Sequence, residues 1–230
     1  MSALPSQSRY IIGTEACERF SFYGMKSILM LYMTGHLLMS DNWSTSTLHI
    51  FVAMVYLLPL AGAWLADKVW GRYKTILYIS LLYCVGHGVL ATADLSHTIE
   101  ARRYIHMAGL FIIALGAGGI KPCVSAFMGD QIPNKSPQLM TKAFNAFYWA
   151  INLGSFFSFL VIPAMEQRYG YSWAFAVPGL FMGVATFVFW LGRKNYHKTP
   201  PARTSGQPGF WKVLFIILFN GGWKTAEQRC

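Results

Sequence analysis

The sequence predicts an all-α membrane protein built as a bundle of six transmembrane helices. Three observations carry that reading. Charged residues make up only 12% of the 230 positions, about half the share of roughly 25% usual in soluble domains. Hydrophobic residues make up 54%, and mean hydropathy is +0.38. Apolar stretches recur at about residues 10–38, 47–66, 74–94, 103–122, 140–163 and 172–192, each near the ~20 residues that a helix needs to cross the hydrocarbon core.

The first span is the most informative. It carries Glu15, Glu18, Arg19 and Lys26, together with Tyr23, inside an otherwise apolar run. On insertion scales each charge at a bilayer centre costs roughly 2.5–3.5 kcal/mol. At a helical repeat these five positions share an arc of about 140°. The other faces are apolar too, which argues against a solvated amphipathic helix. The charged face therefore points into protein or a wet cavity.

The second span holds His49 and Tyr56, seven residues apart on one face, and is interrupted by Pro59. A tight charged turn follows, with Asp67, Lys68, Gly71 and Arg72. Asp67 can pair with a cation or cap the next helix, and Gly71 permits a sharp bend. The third span is plainly apolar. The fourth ends on a run of small residues, Gly116-Ala-Gly-Gly119, before Lys121 and Pro122. Small residues let helices approach closely, and a buried lysine has a readily shifted proton affinity. The fifth span carries a polar stripe, Asn145, Tyr148 and Asn152, at +3 and +7. The sixth contains Pro178. Kinks are expected at Pro59, Pro122 and Pro178, which membrane bundles tolerate.

Connections fall near residues 39–46, 67–73, 95–102, 123–139, 164–171 and 193–209. Their Lys and Arg are uneven. Arg9, Lys68, Arg72, Lys74, Lys135, Lys142, Arg193, Lys194, Lys198 and Arg203 gather on one side, ten against Arg102, Arg103 and Arg168 on the other. Cytoplasmic loops carry the excess, so the N-terminus and the segment after span six are expected inside. Residues 1–197 read as the six-helix bundle, and 198–230 as a cytoplasmic linker with a short apolar segment at 210–219. No cleavable signal peptide is evident, so the first run is expected to be retained. Six spans are compatible with two three-helix units, since transporter repeats are often faint in sequence.

Several function classes are disfavoured. The net charge of +10 sits in loops between apolar runs, which does not make a nucleic-acid face. Cys17, Cys84, Cys123 and Cys230 show no paired spacing, so neither a metal site nor a disulfide framework is expected. No zinc spacing, phosphate loop or serine elbow is present. The expected sites include no catalytic residue and no cofactor.

Two sets of motifs resemble known families. The turn Gly62-Ala-Trp-Leu-Ala-Asp67-Lys68-Val-Trp-Gly71-Arg72-Tyr-Lys74 is similar to the loop signature between helices two and three of the major facilitator superfamily, with Ala63 where a second Gly is common. Glu15-x-x-Glu18-Arg19-Phe20, with Tyr23-Gly24, resembles the ExxER signature of proton-dependent oligopeptide transporters. Gly116 to Ser125 and Phe147 to Ser155 resemble the fourth- and fifth-helix signatures of the same family.

The resemblance implies the N-terminal half of a longer transporter, with a C-terminal six-helix half expected beyond residue 230. It also implies proton-coupled symport of di- and tripeptides by alternating access, with protons as the coupling ion. Glu15, Glu18, Arg19, Lys121 and His49 would serve proton coupling. Arg19, Tyr23, Lys26, Tyr56, Lys121 and Asn152 would meet peptide. Lys26 stands where the family often has Arg, which keeps the charge without the fork geometry. A same-family transporter of nitrate or an amino acid, or an inactive half, are the alternatives. The expected location is a bacterial inner membrane.

Overall fold

A computed structural model describes residues 4–201. The apolar segment expected at 210–219 and Cys230 lie outside the described residues. Six long helical units follow one another. The first, α1, covers Ser8–Leu31 and continues as a π turn over Tyr32–His36. The second, α2, covers Asp41–Trp70 and is divided into Asp41–Leu57, Pro59–Trp64 and a π turn at Leu65–Trp70. Then come α3 (Arg72–Ala91), α4 (Ile99–Asp130), α5 (Pro137–Tyr169) and α6 (Tyr171–Leu191). Helices two to six are long and apolar enough to cross a membrane. The first has the length but carries the charged face.

Local chemistry sets the boundaries. Ser40 Oγ accepts from Trp43 N–H at 3.4 Å, and Thr98 Oγ1 from Ala101 N–H at 3.3 Å, capping α2 and α4. Gly71 (φ 79°) and Gly170 (φ 81°) take the left-handed turns into α3 and α6. Pro59 lacks the N–H needed to bond back, and α2 divides there.

The loop boundaries need correction. Residues 123–130, expected in a connection, are the last two turns of α4. The helix continues past Pro122, as α6 does past Pro178 and α5 past Pro163. In a bundle, neighbouring groups re-satisfy what the proline removes. Likewise 164–169 completes α5, and Arg72 opens α3 where a loop was expected.

The packing is symmetric in pattern. Among the described residues α1 packs chiefly on α5 and α6, α4 packs on α2 and α3, and α3 packs on α6. Exchanging α1 with α4, α2 with α5 and α3 with α6 reproduces the same set of pairs. This is the arrangement expected of two three-helix units. The closest crossings use glycine. A Cβ on Gly62 of α2 would strike the Gly119 backbone of α4, and one on Gly154 of α5 would strike the Ala16 carbonyl of α1. Gly116 seats the Tyr83 ring, and Gly118 seats Leu58.

The chain after α6 returns to the bundle. Gln131 Nε2 donates to His197 O at 3.0 Å, and His197 N–H donates to Gln131 Oε1 at 2.8 Å. Thr199 O lies against Gly71. The stretch read as linker from residue 198 is therefore docked as far as it is described.

Candidate functional site

Glu15, Glu18 and Arg19 of α1 are buried, in electrostatic range of Tyr83 of α3 and Lys121 of α4. Arg19 Nε lies 2.9 Å from Glu15 Oε1 and 2.6 Å from Glu18 Oε2. Glu15 sits one turn before Arg19, so the helix itself delivers both acids to one guanidinium. A single Nε–H cannot align with two carboxylates. Glu18, 1% exposed, has neither oxygen in an aligned hydrogen bond among the described residues. The pair is held by charge while its hydrogen-bonding capacity stays open, and a buried polar group in that condition is costly. A proton or a rearranged partner would relieve it.

Lys121 belongs to the middle of α4, not to its end, because that helix continues to Asp130. Its Nζ lies over the Phe22 ring at 4.7 Å and the Tyr56 ring at 5.1 Å. Among the described residues no carboxylate lies within 4 Å of it, and the ammonium makes cation–π contacts with the two rings. It remains in electrostatic range of Arg19, Glu18, Glu15 and Lys26. The four groups Glu15, Glu18, Arg19 and Lys121 carry two charges of each sign.

The remaining candidates lie further toward the surface. Tyr23 is half-buried, edge-on to Phe22 and 6.0 Å from the Phe159 ring of α5. Lys26 is half-buried without a carboxylate inside 4 Å among the described residues. Tyr56 is 72% exposed. His49 and Asn152 are exposed as well, and Asn152 Nδ2 donates to Tyr148 O at 2.8 Å within its own helix. The structure thus brings Glu15, Glu18 and Arg19 into contact, and Lys121 onto Tyr56. It does not bring His49, Lys26 or Asn152 onto that cluster. The set grades from a sealed carboxylate pair at α1 to an open aromatic and amide rim on α2 and α5.

The turn between α2 and α3 is organised by a residue that the sequence did not single out. Arg72 Nη1 donates to both oxygens of Asp130 at 2.7 Å, while Asp67 stands 3.6 Å from Nη2. Lys68 is exposed, and Gly71 is buried. Asp130 escaped notice because its helix was ended eight residues early. The Asp67 side chain is 56% exposed and that of Asp130 15%. In thermal melting of the full-length protein, Asp130→Asn should cost about 1.5–3 kcal/mol, the range of hydrogen bonds to charged groups. Asp67→Asn should cost under about 1 kcal/mol, as an exposed pair does.

Other buried polar groups were invisible in the sequence. His87 Nε2 pairs with Ser21 Oγ at 2.9 Å, and Tyr83 stacks on His87 with centroids 5.0 Å apart. Tyr83 lies within electrostatic range of Glu18 and Arg19. His106 is fully buried. Periodicity marks which face is apolar, but it does not reveal a histidine that a neighbouring serine satisfies.

The family model described as the POT family matches residues 73–227. The chain belongs to the POT family. Human solute carrier family 15 member 2 is 42% identical over 226 residues, which is 94% of this chain and 31% of the relative. Peptide transporter 3 of Caenorhabditis elegans is 40% identical over 228 residues, 95% of this chain and 32% of the relative. A solved structure of an auto inhibited POT family peptide transporter is 45% identical, with a TM-score of 0.82, over 94% of this chain and 42% of that one. The chain therefore spans about a third of the length of these curated relatives. Within the POT family frame the six helices form a multi-pass integral membrane bundle. These relatives are named as transporters and not as enzymes.

Proposed function

We propose that this chain forms the N-terminal half of a proton-coupled symporter for di- and tripeptides, working by alternating access. The observation that carries the reading is a graded wall: a buried Glu15–Arg19–Glu18 cluster, with Lys121 in electrostatic range of it and lying over the exposed Tyr56 ring. Such a wall offers cations to a peptide carboxylate and amide groups to its backbone. Its acids accept the driving proton. Arg19 supplies a fork for a carboxylate, and Lys26 and Lys121 supply point charges. Two relatives named above are called peptide transporters, which supports the substrate class.

Tyr148, Trp149, Phe156 and Phe157 on α5, with Leu57 and Leu60 on α2, leave apolar faces exposed. We assign these faces to lipid and to a C-terminal six-helix half expected beyond residue 230. Residues 1–197 act as the bundle and 198–230 as the cytoplasmic connection. The excess of Lys and Arg in the loops supports a cytoplasmic N-terminus, and the short loops support a bacterial inner membrane. A potential of 100 mV supplies about 2.3 kcal/mol per charge moved, enough to drive the cycle without a cofactor.

The test is uptake of labelled dialanine by the full-length protein in proteoliposomes, acid outside. Uptake should rise as the outside is acidified, and unlabelled dipeptides should compete while nitrate and single amino acids do not. Glu18→Gln should remove the proton dependence. Proton-dependent uptake that survives this substitution would refute the role of Glu18, and competition by nitrate alone would change the substrate class.

A further inference from the structure

The end of α1 enters a cluster separate from the wall described above. Tyr32 Oη donates to Asp94 Oδ1 at 2.7 Å, and Ser172 Oγ donates to Asp94 Oδ2 at 3.2 Å. The Nε2 of His36 lies 3.1 Å from the same Oδ1. One carboxylate thus joins the π turn that ends α1, the short turn Ala93–Leu95 and the first turn of α6. Stacked rings bind the same elements. Tyr32 lies on His36 with centroids 5.2 Å apart and meets Tyr171 edge-on at 4.9 Å, while His36 faces Tyr171 at 5.1 Å.

The backbone beneath is pinned independently. Arg103 donates from Nε to Leu37 O at 2.9 Å and from Nη2 to Leu38 O at 2.7 Å. The turn itself is a π turn, a form that concentrates at functional positions.

The surrounding charges are few. From α4, Arg102 lies in electrostatic range of Tyr32 and donates its Nε to Ser96 O, and buried His106 lies 5.0 Å from the Tyr32 ring. From α6, Tyr171 faces the cluster and is itself bonded by Glu166 of α5. Within 4 Å of Asp94 the basic group among the described residues is His36. Its side chain is 36% exposed, while the Nε2 atom that faces Asp94 is buried and makes no aligned hydrogen bond.

Histidine is the side chain whose ordinary charge change falls between about pH 5 and 8. The neutral ring meets the Asp94 oxygen as the tautomer with its hydrogen on Nε2. A proton taken up from outside on Nδ1 makes the ring an imidazolium, and the 3.1 Å approach of Nε2 to Asp94 Oδ1 becomes an ion pair.

We propose that His36 and Asp94 form a proton-accepting site at the end of the bundle that the loop charges assign to the outside, and that proton binding there closes a clasp on the outer end of α1. The proposal rests on the proton-coupled transport reading and deepens it. It gives external pH sensing to a residue on the same helix as Glu15, Glu18 and Arg19, so the state of the clasp bears directly on the helix that carries the buried acids.

Two measurements on the full-length protein test it. In proteoliposomes at fixed internal pH, His36→Gln should flatten the external pH profile of dialanine uptake by about twofold or more between pH 5 and 8. The exposed His97→Gln should keep the wild-type profile. A His36→Gln profile that superimposes on wild type overturns the proposal. Independently of transport, carbethoxylation of His36 by diethylpyrocarbonate, read by mass spectrometry, should rise about twofold or more in Asp94→Asn, because loss of the charged partner frees the imidazole. Equal labelling in wild type and Asp94→Asn overturns the contact. Wild-type protein without proton-driven uptake would refute the transport reading instead, and the labelling then decides the clasp by itself.

Discussion

Arg19→Gln in the full-length protein should reduce peptide uptake by about a hundredfold and lower its melting temperature, because removing one partner of a buried ion pair costs about 3–5 kcal/mol. The argument is one of charge balance. Glu15 and Glu18 place two negative charges in the buried face of α1, and Arg19 touches both, at 2.9 Å and 2.6 Å. Lys121 supplies the second cation without touching either acid. Without Arg19, two adjacent carboxylates are left with one ammonium that touches neither. They must take up protons permanently or separate, and either outcome removes the exchange on which coupling depends. Arg19→Lys should restore folding more than uptake, since the charge returns without the fork. Melting and uptake measured on the same preparations check both statements. Uptake within about threefold of wild type in Arg19→Gln would show that the cluster serves packing alone.

Gly154→Ala should cost about 1–3 kcal/mol, as overpacking does, although it adds one methyl group. The new Cβ would collide with the Ala16 carbonyl and lie 3.2 Å from Phe20 N. Both are backbone atoms of α1, so no rotamer change relieves them. The whole α1–α5 crossing must widen, and that crossing carries Glu15, Glu18 and Arg19. Uptake should fall with stability. Gly183→Ala is the matched control. Nothing lies within 4 Å of a Cβ built there on α6, so it should gain the roughly 0.5–1 kcal/mol of an ordinary helical Gly to Ala change. Melting of the two purified variants by fluorescence-detected size-exclusion chromatography separates the outcomes.

Much of the fold was legible because lipid imposes a simple rule. Every backbone polar group must be satisfied within the membrane, so long apolar runs become helices. Six runs therefore became six helical units, and the glycine runs marked the closest crossings. The errors lie where the rule is silent. A kink is expected at Pro122 and the apolar run ends there, yet α4 continues beyond it to Asp130, and this hid that residue. The Lys121 ammonium lies on two rings and stays in electrostatic range of the acids, a placement set by how α4 and α1 cross, at a register that spacing does not encode.

By itself the sequence determined the helical membrane class, the count of spans, the charged face of α1 and the family. Each of these follows from composition, period or order along one chain. Only the tertiary structure decided which charges touch. It placed Arg19 between two acids, gave Arg72 to Asp130, and set His36 against Asp94 across 58 residues of chain. Those pairings depend on helix register and crossing, which are fixed by close packing of side chains distant in sequence.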